Sequence, residues 1–350
     1  MKLKLRKDWV LSWSVKCALL AKTRKGVYRV DNPEKVVVLF GGPSHESEVS
    51  KMTAQAVQKA YKGLNVECEM LEYQVATWVK DIQDINPTFV FNAMHGTPGE
   101  DGSVQAVLDE LGLPYNGSGM QSSIVAMNKS LTKKVLASLN LPVAGEFLLT
   151  KGCDFPAEIT TTGLDFPLVV KPNNGGSSVG TEIVMSANAW PAAKERLQEF
   201  LKKSPQDMLM EEFIHGRELT VPVFVDKTFG VMEILTGAHD FYDYESKYAE
   251  GGSRHVYPAP IATEVAKEAE RIALETHKAL GCSGITRVDF RYDAEGRGLV
   301  VLELNTLPGM TETSLVPEVA MHNDITFPEL VMMMMKDGKC THQGKNLKNH

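Results

Sequence analysis

Two apolar patterns alternate along the chain. KVVVLF (35–40) and PTFVFNAM (87–94) are nearly unbroken apolar runs and read as strands, the first of them buried. Each runs into a glycine-rich turn and then a segment with helical spacing. After GGPSHESEVS (41–50), Val49, Met52, Ala56, Val57 and Ala60 fall on one predicted helical face; after HGTPGEDGS (95–103) comes the helix SVQAVLDELG. This alternation predicts an open α/β sheet over residues 35–121, closed by LPYNGSG. A middle unit, 122–217, is predicted to hold a helix around Lys129 to Leu139, the strand FPLVVKP, a Gly-Ser loop, a helix ending near Lys202 and the strand DMLMEEFI. A third, 218–340, holds TVPVFV, a long aromatic loop from His239 to Pro260, the helix TEVAKEAERIALETHKAL, two further strands and a C-terminal helix. Met332 to Met335 are expected to pack in that helix as adaptable core.

The two further strands, SGITRVDFRYD and GLVVLELN, are joined by AEGRG, which reads as a hairpin turn. Period-2 alternation puts Arg287 and Asp289 on one face of the first, and Glu303 and Asn305 on one face of the second, with Val300, Leu302 and Leu304 opposite. A turn centred near Gly296 sets Asp289 across from Glu303 and Arg287 across from Asn305. Facing carboxylates repel and are costly to desolvate. A hard divalent cation carrying a nucleotide phosphate would relieve that cost; a solvated hairpin face with an Arg–Asp pair is the plainer reading.

Composition narrows the function classes. The chain has 350 residues, 43% hydrophobic and 23% charged, with a net charge of −7, so nothing draws it to nucleic acid or anionic membrane. Its five cysteines are scattered and lack a CxxC pair, which argues for reduced thiols and a cytoplasmic location, without a zinc site. Residues 1–34 are basic, with a short apolar stretch interrupted by Lys16; they fit neither a secretory signal nor a membrane span and read as an extension of unknown role. Residues 341–350 form a polar tail.

Five segments carry candidate chemistry. In KPNNGGSSVG (171–180), Gly175, Gly176 and Gly180 allow close backbone approach, Ser177 and Ser178 add donors, and Lys171 offers a point charge at the strand end; the alternative is a plain hairpin turn. In GGPSHESEVS, Glu46 and Glu48 sit where a helix dipole favours acids, and one of them could instead hold an ammonium at the crevice. His95 lies just past a strand, and Glu100 and Asp101 can cap the following helix. MEEFIHGRELTV (210–221) ends a strand in two acids, with Glu218 beyond, and could frame a purine and its ribose. HDFYDYESKYAEGGSRHVYP (239–258) has the length and aromatic content of a binding loop.

Taken in order, GGPSHESEVS, HGTPGEDGS, MNKSLTKKVL, FPLVVKPNNGGSSVG, EEFIHGREL, DYESKY, TRVDFRYD and LELNTLPGMTETSLVP resemble a D-alanine–D-alanine ligase of the ATP-grasp superfamily over roughly residues 35–335. The resemblance implies an ATP-grasp fold: an N-terminal open parallel α/β domain plus two α+β lobes clasping ATP. It implies that Lys129, Lys171, Gly176, Ser177 and Ser178 contact nucleotide phosphates, that Glu211, Ile214 and Glu218 form the adenosine site, and that Asp289, Glu303 and Asn305 bind Mg²⁺ or Mn²⁺, with two ions expected. Glu46 would hold the first D-alanine's ammonium beside His95, and Ser314 the second's carboxylate. Lys247 would contact phosphate and carboxylate. Tyr248 and Ser177 would link the loop to Glu46, and Arg287 with the Gly309 backbone would stabilise an oxyanion. A homodimer working on D-alanine and ATP is implied, without nucleic-acid or membrane partners.

The implied reaction forms an acylphosphate from the first D-alanine, which the amine of the second attacks. A D-alanine–D-lactate or D-alanine–D-serine ligase is the nearest alternative, and Tyr248 argues against both. A carboxylate–amine ligase with other substrates, and a nucleotide-binding regulator without turnover, also remain; a regulator would be expected to have lost Asp289, Glu303 or Asn305.

Overall fold

The computed structural model describes residues 28–29, 35–176, 178–236 and 253–340. The first unit is a parallel sheet of β1 (Val36–Gly41), β2 (Cys68–Tyr73) and β3 (Phe89–Asn92), in the order β2-β1-β3. Both faces of β1 are covered, which is why its sequence is unbroken. Val36 and Val38 pack in one cluster with Val57 and Tyr61 of α1 (Ser47–Gly63). Val37 and Leu39 pack in the other with Trp78 and Ile82 of α2 (Trp78–Ile85) and Leu108 of α3 (Ser103–Glu110).

The predicted face of α1 is rotated. Met52 is exposed, and Thr53, Ala54 and Tyr61 are buried with Val49, Val57 and Ala60. Positions 49, 53, 57 and 60–61 define a stripe that leaves Met52 on the far side of the helix. β2 is absent from the sequence reading, because CEMLEY mixes charges into an edge strand that is only half-buried.

α4 (Met120–Met127) and α5 (Lys129–Ser138) follow. All but Met120 and Gln121 fall in the span 122–217 read as the middle unit, yet Ala126 and Leu136 share a core with Leu219, Val288 and Phe290 of the C-terminal sheet. The central sheet is antiparallel: β4 (Glu146–Leu149), β5 (Leu168–Pro172), β6 (Glu182–Val184) and β7 (Met208–Glu212), in the order β4-β7-β5-β6. Its apolar face, with Leu168, Val170, Met208 and Met210, packs on Trp190, Ala193 and Leu197 of α6 (Trp190–Lys203). Its other face carries Lys171 and Glu211.

The C-terminal sheet has the order β10-β9-β8-β11-β12, from β8 (Arg217–Phe224), β9 (Met232–Thr236), β10 (Ser253–Val256), β11 (Ile285–Asp293) and β12 (Gly298–Asn305). The stretch read as one loop to Pro260 therefore contains a strand: β10 pairs with β9, Val256 opposite Glu233. Its side chains alternate too briefly to stand out beside the Gly-Gly that precedes it. Leu219, Val221, Val288, Phe290, Val301 and Leu304 point to Ile272 and Ala273 of α7 (Thr263–Ala279).

α8 (Leu315–His322) and α9 (Phe327–Asp337) return to the first unit, where Leu330, Val331, Met334 and Met335 are buried with Val36 and Phe89. α9 begins with a capping box between Thr326 and Glu329. Part of the N-terminal extension joins the fold: Tyr28–Arg29 pair antiparallel with Lys339–Cys340, and Lys339 bridges to Tyr115, itself bridged to Val90. Among the described residues, no helix is long and apolar enough to cross a membrane.

Candidate active site

The site lies where the polar faces of the central and C-terminal sheets meet. On the C-terminal sheet the register is the predicted one: Asp289 opposes Glu303 and Arg287 opposes Asn305. On the other side of β11, Asp289 opposes Thr220 and Arg291 opposes Glu218. One face thus presents Glu218, Thr220, Arg287, Asp289, Glu303 and Asn305. A one-residue bulge shifts the register beyond Asp289, leaving Leu302 without a partner between Glu303 and Val301. It overturns the predicted apolar row: Val301 joins Leu304 in the core, Leu302 is half-buried, and Val300 turns to the site side against Ala144 and Ile214.

Asp289 is buried and fully engaged. Thr220 Oγ1 donates to its Oδ1 at 2.7 Å, Arg287 Nη2 to its Oδ2 at 2.8 Å and Asn305 Nδ2 to its Oδ2 at 3.0 Å. Glu303 takes a different cation, Lys129 Nζ at 3.2 Å. The Arg–Asp pair considered from the sequence is therefore present, beside a second acid with its own partner. Asp289, Glu303 and Asn305 set hard oxygen atoms on one sheet face, and a metal there would take the place of part of the hydrogen bonding now made to Asp289, each of whose oxygens accepts two or more bonds. The donor chemistry fits Mg²⁺ or Mn²⁺.

Lys129 opens α5, whose N-cap is Asn128, accepting from the Leu131 N–H at 2.8 Å. Its ammonium also donates to the Gly175 carbonyl in the glycine-rich loop. Lys171, the last residue but one of β5, pairs with Glu211 Oε1; Lys133 pairs with Glu211 Oε2. Burial pushes the Glu211 carboxyl up, and the two ammonium groups overcome it, holding the group at about 2. Burial pulls Lys171 down, but the facing Glu211, Glu303 and Glu218 carboxylates leave it raised. Lys129, Gly175, Gly176, Glu100, Glu303 and Asn305 line a crevice that is open to solvent.

The first unit reaches the same crevice. Glu46 is the residue before α1, and a Cβ added at Gly176 would stand 3.4 Å from its Oε2. His95, buried, contacts Thr53 Oγ1 through Nε2 at 3.0 Å and Glu100 Oε1 through Nδ1 at 3.5 Å. Burial pushes the Glu100 carboxyl above its usual range, against the pull of His95, and Glu46 raises it further. Neither predicted acid is the N-cap, which is Gly102: Asp101, one residue before it, accepts from the Ser103 N–H at 3.0 Å, and Glu100 turns to His95. At the far end, Ser314 Oγ accepts from the Thr311 N–H at 3.0 Å, and a Cβ at Gly309 would lie 2.9 Å from it.

Comparison with known proteins decides the family. Residues 135–336 match the family model "D-ala D-ala ligase C-terminus". D-alanine–D-alanine ligases of Paramagnetospirillum magneticum and Rhodospirillum rubrum are 44% and 41% identical to this chain, each alignment covering 88% of it and 99% of the relative. The chain belongs to the D-alanine–D-alanine ligase family. Its fold agrees: the Bacillus anthracis ligase solved in complex with ATP superposes with a TM-score of 0.74 at 31% identity, over 87% of this chain and 97% of that one. The expected ATP-grasp architecture is therefore the observed one.

Of the residues chosen from the sequence, Lys129, Gly176, Glu303 and Asn305 line the crevice; Glu46 lies against Gly176, His95 against Glu100, Lys171 pairs with Glu211, and Glu218, Arg287 and Asp289 share the C-terminal sheet face. Ser178 lies in the same loop as Gly176, with φ +56°. Ile214 is buried with Ala144 and Val300. Gly309 and Ser314 are adjacent to each other. Ser177, Lys247 and Tyr248 lie outside the described residues. The sequence reading missed the parts played by Glu100, Thr220 and Lys133. Lys133 had a signal, since it stands four residues after Lys129 on one predicted helix.

Proposed function

We propose that this chain joins two D-alanines to D-alanyl-D-alanine with ATP, releasing ADP and phosphate, and so supplies peptidoglycan precursors. The observation that carries the reading is the Lys129–Glu303 contact, which brings a phosphate-type lysine and a metal-type carboxylate to one point between the sheets of a ligase-family fold. The printed activity of the relatives and the ATP complex of the Bacillus anthracis ligase support the substrates.

In this reading Lys129 and Lys171, with the loop at Gly176 and Ser178, bind nucleotide phosphates. Ile214, packed on Ala144 and Val300, gives an apolar wall for the base, with Glu211 beside it and Glu218 on the ribose. Asp289, Glu303 and Asn305 would hold Mg²⁺ or Mn²⁺, which neutralises phosphate charge when bound. Glu46 holds the first D-alanine's ammonium beside His95, so that its carboxylate oxygen faces the γ-phosphorus. That oxygen bonds to phosphorus as ADP leaves. The neutral amine of the second D-alanine, whose carboxylate Ser314 receives, then bonds to the acyl carbon. Phosphate leaves and the nitrogen loses its proton. The Arg287 guanidinium and the Gly309 N–H face the oxyanion in between. Ser177, Lys247 and Tyr248 are assigned to the same chemistry on the resemblance alone. The protein is further proposed to be a cytoplasmic homodimer with lobes at 35–121, 122–217 and 218–340.

The test is phosphate release with D-alanine, D-serine or D-lactate as second substrate, with products identified by mass. D-alanine-dependent release giving the dipeptide is expected. Faster formation of the ester or of the D-serine product would move the chain to the other specificity, and no ATP turnover with any of them would remove the reading.

A further inference from the structure

At Glu211 the charges do not pair one to one. Lys133 and Glu211 are both almost wholly buried, with side chains 4% and 3% exposed. Lys133 donates to Glu211 Oε2 and lies 3.4 Å from the Ala144 carbonyl. Lys171 takes the other oxygen, Oε1, and is itself closer to the surface at 13%. Two ammonium groups therefore share one carboxylate. The carboxylates of Glu303 and Glu218 lie farther along the same face, and Glu303 already pairs with Lys129.

We propose that Lys133 is a positioning residue for nucleotide binding: by taking one oxygen of Glu211, it leaves Lys171 with positive charge to offer the nucleotide's phosphates. The inference rests on the ATP-dependent reading above. Lys133 does not line the crevice. It acts from behind, through Glu211. Without it, both oxygens of Glu211 are left to Lys171, and the pair is neutral toward an approaching polyphosphate. Geometry supports the same role. Lys133 stands one turn after Lys129 on α5, while Ser130, between them, donates from its hydroxyl to Glu146 at 2.6 Å and from its N–H to Asn173 at 2.9 Å. The polar side of α5 is thus pinned across β4, β7 and the loop after β5, so that one helix fixes both phosphate lysines relative to each other.

The test uses full-length Lys133→Met and Lys133→Gln, and the double variant Lys133→Met/Glu211→Gln, each checked by circular dichroism and thermal melting. Binding of ATP, ADP and adenosine is measured by calorimetry, and KM for ATP and D-alanine by phosphate release. Loss of Lys133 is expected to weaken ATP and ADP roughly tenfold, leaving adenosine and the KM for D-alanine nearly unchanged, since only the phosphates feel the lost charge. Because the double variant also removes Glu211 from the adenosine site, it is read through the ratio of ATP to adenosine affinity, which is expected to recover most of its loss as charge returns to Lys171. A purely packing role would lower the melting temperature and weaken adenosine equally, with no recovery in the double variant; that outcome overturns the proposal. Failure of all three variants to fold would assign Lys133 to folding alone and overturn it as well. Wild-type protein that does not bind ATP would instead refute the functional reading beneath it.

Discussion

Asp289 and Glu303 are direct partners across the β11–β12 hairpin, yet each is neutralised by a different cation, Arg287 for one and Lys129 for the other. The two acids thereby tie a catalytic-face arginine and a phosphate-type lysine to one point. Glu303→Gln keeps the shape and removes one charge. Turnover is expected to fall by orders of magnitude at saturating Mg²⁺ while melting behaviour stays close to wild type, because metal charge stabilisation is worth several kcal/mol. Near-normal turnover of the folded variant would sink the metal assignment.

Gly176 brings the central loop against Glu46 of the first unit. An alanine there would place its Cβ in ordinary contact, 3.4 Å from Glu46 Oε2. The extra methyls of valine have no such room without moving the carboxylate. Gly176→Ala should retain turnover within a few-fold, and Gly176→Val should raise the KM for D-alanine by about tenfold, the scale of one disturbed charged hydrogen bond. Steady-state kinetics at saturating ATP decides; an unchanged KM for D-alanine in the valine variant would separate Glu46 from the substrate.

His277 predicts an acid sensitivity remote from the site. It is buried in α7 against Thr286 Oγ1 at 2.8 Å, and burial, with Lys339 and Lys278 nearby, holds it at about 4, below its ordinary 6.5. Between those values the unfolded chain binds a proton that the folded chain refuses. Stability should therefore fall as pH drops from about 6.5 toward 4, by about 2 kcal/mol between pH 7 and 5. In a folded His277→Gln variant that part of the slope should vanish. Urea unfolding at both pH values measures it, and an unaltered slope would show that His277 is protonated in the native state. The Glu211 carboxyl, held at about 2, adds a separate loss only as pH falls below the ordinary carboxylate range.

The N-terminal extension should be dispensable for chemistry. Among the described residues, its Tyr28–Arg29 strand contributes a two-residue pairing to Lys339–Cys340. Deleting residues 1–27 should leave ligase activity intact, and deleting 1–34 should cost at most a few degrees of melting temperature. Loss of turnover in the shorter deletion, measured by phosphate release, would give the segment a role in the working enzyme.

The sequence by itself determined what repeats locally. Unbroken KVVVLF meant a buried strand; the structure adds that Val36 and Val38 part from Val37 and Leu39 into two cores. Alternation put Arg287 with Asp289 and Glu303 with Asn305, but their pairing also needs the bulge: the turn sets Asp293 against Gly298, and the extra residue at Leu302 is what brings Glu303 opposite Asp289. The tertiary structure decided the rest. The bulge at Leu302 exchanges the faces of Val300 and Val301, and no period of two can announce where that period breaks. Met52 and Thr53 of α1 trade places because neighbouring elements choose which stripe of a helix is buried. Lys133 meets Glu211, 78 residues away, and Glu100 turns from a helix cap to His95. Such contacts depend on how one element crosses another. A buried charge must find its partner wherever packing brings one, and local spacing carries no record of that distance.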